Sequence, residues 1–131
     1  VISALAAFGI VKMFLLGISS NPLVSEAISV SVLAGITGSA SGGLSIALAT
    51  LGDTFLETAK QIGLNPQVLH RVASIACGGL DTLPHNGAVI TLLGITGMTH
   101  KQSYIDIGMC TVIIPTISVI AIIILGSMGV V

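Results

Sequence analysis

Charge is what this 131-residue sequence has least of: four basic and five acidic side chains, 7% of the chain, where a soluble globular domain carries roughly 25%. Nine charges cannot cover a water-facing surface, and the mean hydropathy of +1.11 assigns most of that surface to lipid or to other protein. The net charge is -1 and tryptophan is absent; with no basic patch and no interleaved aromatics, a nucleic-acid partner is excluded. Cysteine is nearly absent as well. Cys77 and Cys110 stand in apolar runs without C-x-x-C spacing, so they read as small buried hydrophobes, and neither a metal nor an organic cofactor is expected. The chain opens at Val1 in an apolar stretch with no basic leader, so no signal peptide is expected and the sequence reads as a piece of a longer protein.

What is there is apolar sequence in membrane-sized lengths. Residues 107–125 form a 19-residue uncharged run, against ~20 for a spanning helix, and predict an all-α polytopic membrane protein. Residues 1–20, apolar except Lys12 and closed by Ser19, Ser20, Asn21 and Pro22, read as the end of one transmembrane helix. Pro22 then suits a first helical turn. A last transmembrane helix is expected over 104–128, kinked at Pro115. The intervening polar groups, Asp53 to Pro66 closed by His70 and Arg71, and Thr99 to Ser103, read as water-facing or interfacial connections. Asp53, Glu57 and Lys60 there read as a solvated, charge-paired face, and the methionines as gap fillers.

Two of the apolar stretches are broken at their centres. Between Glu26 and Asp53 lie 26 uncharged residues interrupted by GSASGG at 38–43, which leaves arms of 11 and 9 residues. At ~1.5 Å per residue each arm reaches ~15 Å, half of a ~30 Å hydrocarbon core. A re-entrant hairpin over 22–60 or one spanning helix unwound at its middle both satisfy that length. The second break, GGLDTLPHNG at 78–87, interrupts the apolar stretch 72–98. Counting from Arg71 places Asp81 ~15 Å deep, near the midplane.

Unwound backbone at membrane depth survives only where protein or a water-filled cavity shelters it. Discontinuous helices near the midplane are a recurrent binding architecture of secondary transporters, and their half-helix N-termini suit an anion. Ser39 and Ser41 offer hydroxyls, while Gly42 and Gly43 let backbone amides approach a ligand. Gly38 and Gly42 also match a helix-packing motif. Asp81, Thr82, His85, Asn86 and Gly87 cluster around Pro84. Asp81 and His85 can take up and release protons, and Thr82 and Asn86 suit substrate hydroxyls. A membrane serine protease is disfavoured because Ser39 stands where Gly-x-Ser-Gly needs glycine. An aspartyl protease is disfavoured because Asp81 follows Leu80 rather than glycine. No enzyme is expected.

The runs TGSASGGLSIALATLGDTF at 37–55 and GGLDTLPHNGAVITLLGITGMTHKQSY at 78–104 resemble the C-terminal part of the gluconate permease family, closest to its 3-hydroxybutyrate branch. The resemblance implies a proton symporter for gluconate or a related small hydroxy-monocarboxylate in the bacterial inner membrane, with the proton as coupling ion. It implies an ion-transporter-superfamily repeat in which a re-entrant hairpin, 22–60, precedes an interrupted helix, 67–97. The substrate would sit between residues 39–43 and 81–87, completed by an N-terminal repeat elsewhere in the permease. Substrate identity, orientation and a homodimer are left open. A passive channel or a non-transporting membrane subunit is the alternative.

Overall fold

The computed structural model describes Met13, Gly17 and residues 21–130. The transmembrane end expected over 1–20 lies outside that range, those two residues apart. Among the described residues every regular element is a helix, and the helix boundaries follow from local chemistry.

Helix α1, Pro22–Thr37, begins with Pro22 at its first position, and the Asn21 side chain accepts from the Leu23 amide at 3.0 Å. It ends at Gly38, whose left-handed φ of 62° lets its amide reach the Ala34 carbonyl. Ser39 immediately caps α2, Ala40–Gln61, by accepting from the Gly42 amide at 3.2 Å. The GSASGG break is therefore a two-residue turn, and residues 40–43 are already helical. The two helices fold back on each other: a Cβ on Gly43 would collide with the Ala34 backbone and lie 2.7 Å from the Leu33 carbonyl carbon. Only glycine allows that approach.

The arms are 16 and 22 residues long, ~24 and ~33 Å, not the half-membrane lengths expected. The polar residues did not end α2, because Asp53, Glu57 and Lys60 share its exposed face while Leu51, Phe55 and Ala59 hold the buried one. Helix α3, Pro66–Ala76, is again started by an Asn-Pro pair, with Asn65 accepting from the Gln67 amide at 2.9 Å. His70 and Arg71, expected in a loop, are on this helix. After the second break comes α4, Gly87–Thr96, then a turn at Gly97, φ 67°.

His100–Ser127 runs as one 28-residue helix of mean hydropathy 2.6, long and apolar enough to cross a membrane. It comprises α5, His100–Gly108, a π-helical turn, Met109–Ile113, and α6, Ile114–Ser127. It starts four residues earlier than expected because the Gln102 side chain accepts from the Thr99 amide at 2.9 Å, capping a helix where a loop was anticipated. The expected disturbance at Pro115 takes the form of that π turn, just ahead of the missing proline N–H.

The core sits where α1, α2 and α3 meet, with Leu23, Val30, Leu51, Val68 and Val72 almost fully buried. Helix α6 closes onto α3 where Gly126 meets Val68. Outward, Ile105, Ile117 and Ile95 are 78%, 60% and 81% exposed, an apolar exterior suited to lipid or further protein. The methionines expected as gap fillers, Met13, Met98, Met109 and Met128, are exposed as well. Cys110 is exposed and Cys77 half-buried, not the buried pair anticipated.

Candidate functional site

The second break, residues 77–86, settles against the turn between α1 and α2. Ser31 donates to the Ala76 carbonyl at 2.8 Å, and the Leu80 Cβ lies 3.2 Å from where a Cβ on Gly35 would be. His85 Nε2 meets the Gly35 carbonyl at 3.2 Å. Asn86, 3% exposed, holds the two breaks together. Its Nδ2 donates to the Gly38 carbonyl at 2.7 Å and to Asp81 Oδ1 at 3.0 Å, and it also contacts the Asp81 backbone carbonyl. Its Oδ1 accepts from the Ala88 amide at 2.6 Å and so caps α4. One side chain thus ends one break, starts a helix and fastens the other break.

These contacts border an open cavity of about 340 Å³ lined by Gly38, Ser39, Ala40, Ser41, Asp81, Asn86, Gly87 and Ala88. Two helices begin at its wall, α2 at Ala40 and α4 at Gly87. Helix N-termini present amide N–H groups and partial positive charge. Asp81 is the one ionisable side chain in the lining. The Ser39 and Ser41 hydroxyls lie 3.4 Å apart, so the cavity combines two hydroxyls, two helix starts, an amide and a carboxyl.

Of the residues singled out from sequence, Ser39, Ser41, Asp81, Asn86 and Gly87 come together here. His85 borders the same region but spends its ring nitrogen on Gly35. Thr82 does not join them: its hydroxyl contacts that of Thr111, and its carbonyl accepts from Tyr104 at 3.1 Å, so it braces the break against the last helix. Gly42 packs beside Ser39, and Gly43 is buried at the α1–α2 crossing. In this structure their smallness serves the turn and the helix contact. His100, expected at the interface, bonds the Pro84 carbonyl at 3.1 Å. Among the described residues no group of three or more His, Cys, Asp or Glu comes together as a metal would need.

Sequence reading passed over Ala40 and Ala88, which line the cavity as the first residue of α2 and the second of α4 and carry no chemical signature. It also passed over Glu26, used only to mark the end of an apolar run. Its signal was an acid set among Leu23, Ala27 and Val30, all buried.

No protein-family model and no solved structure matches the chain. A Bacillus subtilis (strain 168) protein is 48% identical over 128 residues, which cover 98% of this chain and 27% of that protein. Its name is "uncharacterized transporter YxjC". The chain thus spans about a quarter of the relative's length.

Proposed function

We propose that this chain forms part of a proton-coupled secondary transporter of the bacterial inner membrane, a multi-pass protein that takes up gluconate or a related small hydroxy-monocarboxylate such as 3-hydroxybutyrate. One observation carries the reading: two helix N-termini, two serines, Asn86 and Asp81 line a single cavity. Its relative's name, its low charge and the exposed apolar helix His100–Ser127 support transport across a lipid bilayer. The motifs shared with gluconate permeases support the substrate class and the participation of an N-terminal repeat.

In this reading the carboxylate of the substrate lies against the amides at Ala40, Ser41 and Gly87, where the helix starts favour an anion. Ser39 and Ser41 bond its hydroxyls, and Asn86, committed to Gly38, Asp81 and Ala88, holds the two breaks in place around it. Asp81 supplies the coupling. An ionised Asp81 within ~5 Å of the substrate carboxylate would oppose it by about 3 kcal/mol at an effective dielectric near 20, on the order of a hundredfold in affinity. A protonated Asp81 removes the repulsion and can donate. Proton and substrate therefore bind together and leave together, which is symport. His85, hydrogen-bonded to the hairpin backbone, transmits the state of the break to the turn.

The test is uptake by the full-length protein in liposomes, with and without an inward proton gradient, across gluconate, 3-hydroxybutyrate and lactate. Accumulation of one of them that requires the gradient is expected. Equilibration indifferent to the gradient would make the protein a passive channel, and no uptake of any would remove the substrate class.

A further inference from the structure

Glu26 sits in the second turn of α1 and is 2% exposed, and its Oε2 has no hydrogen-bond partner. Among the described residues no cation pairs with it. It opens on a second cavity, of about 190 Å³, whose walls include Leu44, Leu48 and Phe55 of α2 and Leu69, His70 and Ala73 of α3. The two cavities share no lining residue, although this one reaches along α2 to Leu44, one turn from Ala40; Glu26 itself is twelve residues along α1 from Gly38, ~18 Å.

A carboxyl group in such a place needs a use. An isolated buried carboxylate costs several kcal/mol, and an apolar residue of similar volume would pack there at no such cost. Within membrane segments such residues mark ion and proton pathways. We infer that Glu26 is a proton-holding site at the base of the hairpin, distinct from the substrate site, reached through the cavity that His70 shares. The inference rests on the transport reading for its role in coupling, though not for the binding of the proton itself.

The exposed His70 imidazole takes a proton from bulk hydronium on one nitrogen, leaving water, and gives up the proton of the other into the shared cavity, where the Glu26 carboxylate takes it as a carboxyl O–H. The reverse returns the carboxylate. His70 is the one other titratable group in this lining. On the elements packed against α1, Asp53, Glu57 and Lys60 of α2 and Arg71 of α3 are exposed outside this lining, and α6 carries no titratable residue.

The experiment compares full-length wild type, Glu26→Gln and Glu26→Asp. In liposomes, an imposed gradient of one pH unit sustains about a tenfold accumulation for each proton coupled. Glu26→Gln, shaped like the protonated acid, should lose that accumulation while keeping substrate exchange, which needs no net proton movement, and keeping wild-type substrate affinity. Glu26→Asp should keep part of the accumulation. Wild-type accumulation by Glu26→Gln would overturn the proposal. If wild type takes up none of the substrates, or Glu26→Gln does not fold, infrared difference spectra of purified protein against pH decide. A protonated-carboxyl stretch that Glu26→Asp shifts supports the site, and a spectrum that this variant leaves unchanged overturns it.

Discussion

Replacing Asn86 by alanine should damage the protein well beyond the loss of a helix cap. Its side chain caps α4 through the Ala88 amide, at 2.6 Å, and also donates to Gly38 at 2.7 Å and Asp81 at 3.0 Å from an almost fully buried position. Losing the cap costs ~1 kcal/mol, and leaving the Gly38 carbonyl without its donor adds ~1–3 kcal/mol. The sum is about 2–4 kcal/mol. Asn65 provides the internal control, because it caps α3 through Gln67 in the same way from an exposed position. Asn65→Ala should cost only the cap, ~1 kcal/mol. Asn86→Asp keeps the capping oxygen but has no donor and places a second carboxylate beside Asp81. The assay is the apparent Tm of full-length protein in detergent, with substrate affinity measured alongside. Asn86→Ala should fall clearly below Asn65→Ala and lose about tenfold or more in affinity, each tenfold being ~1.4 kcal/mol, with Asn86→Asp no better. An Asn86→Ala protein as stable as Asn65→Ala, or an Asn86→Asp protein indistinguishable from wild type, would refute the bridge between the two breaks.

Gly43→Ala forces a methyl group into the Ala34 backbone and should destabilise the hairpin by ~1–3 kcal/mol, whereas Gly52→Ala, with Leu48 4.0 Å away, should be neutral or stabilising; apparent Tm reads both. Gly126→Ala meets Val68 and should lower Tm by an overpacking cost of similar size, which Val68→Ala in the same chain relieves, a coupling that a double-mutant cycle measures. Asp81→Asn should abolish gradient-driven uptake, retain exchange and flatten the dependence of substrate affinity on pH, as a binding titration across pH would register.

Much of the fold was legible from residues alone, for identifiable reasons. Helix starts announce themselves where Asn precedes Pro at 21–22 and 65–66, since the side chain and the ring each satisfy a local backbone need. The two breaks were legible because clustered glycine and polar residues lower helix propensity and set hydrogen-bonding groups where lipid cannot satisfy them. Arm length was not, because a helix continues through Asp53, Glu57 and Lys60 whenever they share one face. Nor was the division of labour among the site residues. Whether Gly43 touches a ligand or a neighbouring helix, and whether Thr82 faces Asn86 or Thr111, depends on contacts 29 residues away in the latter case, and local pattern carries no trace of them. Glu26 was missed because a single acid at the edge of an apolar run looks like a boundary until its burial is seen.

Substrate protection tests most directly the claim that the two breaks form one binding site. In full-length protein cleared of native cysteines, Ser41→Cys and Ala88→Cys place one thiol on each side of the cavity, and Ile117→Cys, on the exposed face of the last helix, serves as reference. The rate of thiol labelling is followed as the proposed hydroxy-acid substrate is added. Both cavity thiols should be protected with the same half-effective concentration, matching that for uptake, and Ile117→Cys should be unaffected. Protection of one without the other, or of neither, would contradict a shared site.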